Sequence, residues 1–144
     1  MTAGVSGYHP WPGNAGVTMS TIALTTRTFG RAVSRDGVTL VEFWAPWCGP
    51  CHAFGAVYER VSRGHPDVMF AKVDVDAQPE LAAALHITAI PTLMAFRDGI
   101  VVFDQPGATL ERGLEELITA IRDLDMDGVH REVAGLRQHA WHAS

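Results

Sequence analysis

Cysteine is nearly absent from this 144-residue chain: Cys48 and Cys51, three positions apart, are the only two. So few thiols exclude a disulfide framework and any zinc site of three or four Cys ligands. Lysine is scarcer still, with Lys72 alone beside ten arginines, a skew that GC-rich coding explains most simply. Positive charge is in deficit overall, 11 Lys and Arg against 16 Asp and Glu, for a net −5 with His neutral. No window gathers the cations needed to track phosphates, so nucleic acid is not an expected partner. Long apolar runs are missing too, far short of the roughly 20 residues of a spanning helix, and no membrane association is expected. Residues 1–17 have neither a basic n-region nor an apolar h-region. No export signal is read there, and a cytoplasmic location is expected. What is present is 47% hydrophobic and 19% charged residues. That is enough to bury one core and to exclude global disorder, and the length suits one domain and not two.

Residues 1–18 are rich in Gly, Pro and small residues without a period, and read as a flexible tail. Because Met19 is followed at once by a strand-like run at residues 22–24, Met19 is expected to be the true start. N-terminal sequencing of the native protein tests this, and a mature chain containing Trp11 would contradict it. From there two periods alternate. Residues 29–35 read as a short helix closed by Gly37. Residues 38–44 are apolar on both alternating faces, as in a strand covered on both sides. Phe54, Val57, Tyr58 and Val61 form one helical stripe ending near Gly64. Residues 68–75 are a second buried strand, and Pro79 opens a short helix through Leu85. Residues 93–96 and 100–103 flank Asp98-Gly99, a strong hairpin signal. Leu110, Leu114, Leu117, Ile118 and Ile121 mark a helix that Thr109 is placed to cap. The order βαβαβαββα predicts an α/β fold with a mixed sheet and helices on both faces. A further C-terminal helix is predicted over residues 127–140, with Val129, Val133 and Leu136 on one face. The resulting division is an extension at 1–19, a domain at 20–123 and a helical extension at 124–144.

The chemistry sits where a buried strand hands over to an amphipathic helix, at Trp47-Cys48-Gly49-Pro50-Cys51. Unpaired N–H groups and the macrodipole at a helix N-terminus favour an anion, which pushes Cys48 toward its nucleophilic thiolate. Spacing of three on the first turn puts both sulfurs on one face, close enough for a disulfide. Pro50 is tolerated because a first-turn N–H has no helical partner to lose. The pair can therefore alternate between dithiol and disulfide without rebuilding the fold.

The run FWAPWCGPC, with Ala89-Ile90-Pro91-Thr92 and the Asp98-Gly99 hairpin downstream, resembles the thioredoxin family over residues 22–122. The resemblance implies a three-layer α/β/α domain with a central mixed sheet, and a protein-disulfide reductase that maintains redox homeostasis. Cys48 would attack a client disulfide, and Cys51 would resolve the mixed disulfide. Glu42 lies in the middle of an otherwise apolar strand, where burial should raise its pKa toward neutrality. It matches the family's buried acid, usually Asp, as a proton relay, and Lys72 matches the lysine that supports it. The alternative for this pair is an ion pair that holds two strands in register. Pro91 is expected to follow a cis bond. Ile90 would offer backbone groups to an extended client segment, with Trp47, Val75, Gly107 and Ala108 as the rest of the groove. For Val75, simple core packing stands beside that role. No cofactor is expected to be bound; electrons would come from NADPH through a thioredoxin reductase. That reductase and disulfide-containing clients are the expected partners of a monomer.

Three positions depart from the family pattern. His52 replaces the basic residue that usually follows the second Cys, Ala56 stands where a kinking Pro is common, and Pro106 precedes Gly107 where an apolar β-former is usual. Two rival readings use the same chain. One is an oxidant of an exported compartment, disfavoured by the missing signal and by Gly49-Pro50, which resembles reductants. The other is a client-binding holdase or adaptor whose apolar C-terminal helix ends in Trp141. That helix is expected instead to pack on its own domain. His130, His139 and His142 are too scattered near a chain end to predict a metal site.

Overall fold

The computed structural model describes residues 20–143, with side chains described through residue 136. Five strands form one sheet in the order β1-β3-β2-β4-β5. They are β1 (Thr21–Ala23), β2 (Val38–Trp44), β3 (Met69–Asp74), β4 (Thr92–Arg97) and β5 (Ile100–Pro106). β1, β3 and β2 run parallel, while β4 and β5 are antiparallel to their neighbours, so the sheet is mixed. The helices are α1 (Thr26–Val33), α2 (Gly49–Ser62), α3 (Pro79–Ala84), α4 (Glu111–Arg122) and α5 (Met126–Ala143). The fold is the expected three-layer α/β arrangement with an extra C-terminal helix.

Side chains alternate across a strand, so each central strand divides its residues between two cores. Val41, Phe43, Ala71, Val73, Met94 and Phe96 meet Phe29 and Val33 of α1 and Leu81 of α3. Leu40, Phe70, Leu93 and Ala95 face the other way, against Phe54, Tyr58 and Val61 of α2 and Leu114, Ile118 and Ile121 of α4. This double burial explains why residues 38–44 read as apolar on both faces. Glu42 shares the parity of Leu40 and therefore lies on the α2 side. Tyr58 spans that layer, fully buried, and its hydroxyl donates to the Ala71 carbonyl at 2.8 Å. Tyr58→Phe is expected to cost about 1 kcal/mol. Urea unfolding reads this as a lower midpoint; an unchanged midpoint would contradict it.

Two local expectations need correction. α1 starts at Thr26, three residues before the expected Phe29, because the Thr28 hydroxyl accepts from the Thr25 backbone N–H at 2.9 Å and starts the helix there. Thr109 does not cap α4. Leu110 occupies that position and accepts the first helical bond, from Leu114 at 3.0 Å, while the Thr109 hydroxyl leans against Gly113 one turn on. The Asp98-Gly99 hairpin forms as expected. Asp98 has φ 53° and Gly99 φ 83°, the left-handed pair that a two-residue turn demands. In α5, Val129 and Val133 are half-buried and Leu136 is 68% exposed, so the apolar stripe is only partly covered. Trp141, His139 and His142 lie outside the residues with described side chains, and residues 1–19 lie outside the described backbone. No described helix is long and apolar enough to cross a membrane.

Candidate redox site

The carboxyl end of β2 delivers the chain into the redox site. After Trp44 the backbone turns, Cys48 N–H donates to the Ala45 carbonyl at 3.1 Å, and α2 begins at Gly49. Cys48 is the N-cap in extended conformation, and its sulfur accepts from the Cys51 N–H at 3.2 Å. A sulfur is thus aimed at the unpaired amide of a helix N-terminus, the geometry that stabilises a thiolate. Gly49 and Pro50 fill the first two helical positions, where a missing N–H costs nothing. Cys48 and Cys51 are joined as a disulfide with Cα atoms 5.3 Å apart. Both are buried in one cluster with Ala45, and Trp44, Val75 and Ile90 pack against it. Trp47 is 70% exposed beside the pair, and its indole N–H donates to Asp76 at 2.8 Å.

The loop after α3 supplies the opposite wall. The Ile90–Pro91 bond is cis. The Pro91 carbonyl accepts from Gly107 N–H at 2.7 Å, which ties the end of β5 to this loop. Val75 is held by its N–H to the Trp44 carbonyl at 2.9 Å, while the Asp74 carboxylate accepts from the N–H of Asp76 and Ala77. Val75 and Ile90 thus pack on the cysteines, Pro91 follows Ile90 and holds Gly107, and Ala108 is exposed next to Gly107. Val75 packs both on the core and on the Cys48–Cys51 cluster.

Behind the disulfide, Glu42 and Lys72 are register partners on β2 and β3. They do not form the ion pair that register suggests. Both carboxylate oxygens of Glu42 are buried without a hydrogen-bond partner, and the Lys72 ammonium sits 4.7 Å from the centroid of the Trp44 ring, a cation–π distance. Burial raises the Glu42 pKa from 4.5 to about 7, against the opposing fields of Lys72 and His52. A carboxyl near that value exchanges a proton at neutral pH. Since Lys72 lowers the Glu42 pKa, Lys72→Met is expected to move its titration above about 7. A carboxyl titration followed by NMR checks this, and an unmoved or lowered midpoint would contradict it.

Three participants were not marked in the sequence. Trp44 carries Lys72 on its face and meets the His52 ring edge-on at 5.9 Å between centroids. Gly55 matters for what it lacks, since a Cβ there would lie 3.6 Å from Lys72 Nζ and 3.9 Å from Glu42 Oε1. Asp76 anchors Trp47. The only available signals were Trp44 ending a strand and Gly55 interrupting an apolar helix stripe; nothing marked Asp76. His52, flagged as a departure, points its ring at the preceding loop, where Nε2–H donates to the Pro46 carbonyl at 2.7 Å. Among the described residues no cluster of His, Cys, Asp and Glu is arranged to hold a metal.

Comparison with known proteins gives a consistent picture. The family model described as Thioredoxin matches residues 20–120. A Streptomyces coelicolor protein named as a thioredoxin is 50% identical over 115 residues, covering 80% of this chain and 86% of that one. The thioredoxin of Bacillus subtilis is 37% identical over 101 residues, covering 69% and 96% respectively. Among solved structures, a mutant thioredoxin from Halobacterium salinarum superposes with a TM-score of 0.67 at 32% identity, covering 73% of this chain and 93% of that one.

Proposed function

The chain belongs to the thioredoxin family and is a thiol–disulfide oxidoreductase, and from that premise we propose the direction of its chemistry and the role of each residue. It works as a reductant of protein disulfides. The Cys48 thiolate attacks one sulfur of a client disulfide, forming a mixed disulfide and expelling the first client thiolate, which takes up a proton. Cys51 then gives its proton to the Glu42 carboxylate and attacks Cys48 Sγ. The client leaves with its second thiol, and the protein keeps the Cys48–Cys51 disulfide. Two electrons and two protons pass to the client overall. The single observation that carries this reading is the Cys48 sulfur at the N-cap of α2, on the Cys51 amide.

Lys72 supports Glu42 by favouring its ionised form. Gly49 and Pro50 let the helix begin between the two sulfurs. Trp47, Val75, Ile90, Pro91, Gly107 and Ala108 form the groove along which an extended client segment pairs with the Ile90 backbone. Electrons return from NADPH through a thioredoxin reductase, with no bound cofactor, in the cytoplasm. Residues 20–123 are the working domain, flanked by extensions at 1–19 and 124–144, and the protein acts as a monomer. Support for these points comes from the family's chemistry and, for the groove, from the packing of Val75 and Ile90 against the disulfide.

Equilibration with thiol buffers of known potential tests the direction of transfer. The expected potential is about −270 mV, the value typical of thioredoxins as a family. A potential near about −120 mV would make the protein an oxidant and overturn the reading.

A further inference from the structure

Beside the redox site, β5 and α4 enclose a groove of about 400 Å³. Leu93, Phe103 and Leu117 line it, so most of its surface is apolar. Gly113 and Thr109 also line it, and a Cβ at Gly113 would collide with the Thr109 hydroxyl, so the glycine lets Thr109 lie against the helix. Pro106, noted above as a departure from the family pattern, lines the same groove and presents no N–H. β5 is the last strand of the sheet, so the wall it forms is an edge.

The groove adjoins the Ile90–Pro91 loop through Gly107. Ile90 packs on the Cys48–Cys51 pair, and Pro91 accepts from Gly107. Gly107 and Ala108 line both the rim beside Pro91 and this groove. The only charged residue of the lining is the exposed Glu116, which disfavours an acidic neighbour on any segment that enters and favours Lys or Arg.

We propose that this groove is a client subsite: an extended segment docked along Ile90 and Pro91 places an apolar side chain the size of Leu or Phe between β5 and α4. The proposal rests on the reductant reading above and adds a preference to it. Backbone pairing alone accepts most sequences, whereas a side-chain pocket discriminates.

A panel of disulfide-linked peptides tests it, with one Leu moved along flanking positions that are otherwise Ala. One position is expected to raise kcat/KM roughly tenfold over the all-Ala peptide, as filling an apolar pocket does. Thr109→Leu, which fills the groove from its rim, is expected to remove the preference at that position alone. A wild-type protein that reduces every peptide equally would overturn the subsite while leaving disulfide reduction intact. Failure to reduce any peptide would instead overturn the reading on which the subsite rests. A preference that persists undiminished in Thr109→Leu would place the side chain elsewhere and overturn the proposal. So would a preference that vanishes as protein concentration rises, because a second copy would then be the occupant.

Discussion

Cys51→Ser protein, reduced and mixed with a disulfide client, is expected to stop after about one client per molecule, held as a mixed disulfide through Cys48. The first attack needs only the Cys48 thiolate, which the N-terminus of α2 favours whichever residue stands at 51. The second attack needs a sulfur at that position, on the first turn of the same helix, where the disulfide spans Cα atoms 5.3 Å apart. Serine is not nucleophilic enough to attack Cys48 Sγ and expel the client thiolate, so the complex persists until excess thiol is added. Mass spectrometry of the trapped species reads the outcome. Wild-type turnover by the variant, or trapping through any residue other than Cys48, would contradict the assignment of roles.

Glu42→Leu is expected to stabilise the oxidised protein by roughly 3 kcal/mol at pH 8, as the displacement of Glu42 from 4.5 to about 7 implies. Its sign follows from proton counting. A carboxyl whose folded pKa lies above its unfolded one binds more protons folded than unfolded between 4.5 and about 7. Stability therefore falls as pH rises through that window; the penalty is absent below it and complete above it. The variant and the wild type should thus converge near pH 4 and separate toward pH 8, where the melting temperatures differ by roughly 10 °C. The same substitution removes the proton acceptor for Cys51, and the resolving step at pH 7 should slow on the order of 10²-fold. A variant more stable but equally fast would separate the buried charge from the proton relay and remove Glu42 from the mechanism. A variant no more stable at pH 8 would contradict the unpartnered burial of the carboxylate.

Much of this is legible in the amino-acid sequence. Residues 38–44 are largely apolar on both faces because helices cover both sides of the sheet, and the one charged residue, Glu42, is the buried acid. WCGPC at a strand-to-helix boundary fixes where the sulfurs sit, since the helix start is local in sequence. Contacts made across the fold were not legible. Register alone places Lys72 opposite Glu42, but the ammonium lies over the face of Trp44, beside Gly55 of α2. Thr109 reads as a cap by residue type, yet its hydroxyl lies against the helix where Gly113 has no Cβ. The cis bond before Pro91 came from resemblance alone, since no local pattern in the chain specifies it.

In the proposed function Cys48 and Cys51 carry electrons from a reductase to protein disulfides. Insulin reduction coupled to NADPH oxidation through a thioredoxin reductase measures that transfer from end to end. Wild-type protein should consume NADPH and precipitate insulin chains catalytically, and Cys51→Ser should do neither beyond its first turnover. A wild-type protein that leaves both insulin and NADPH untouched would contradict the account.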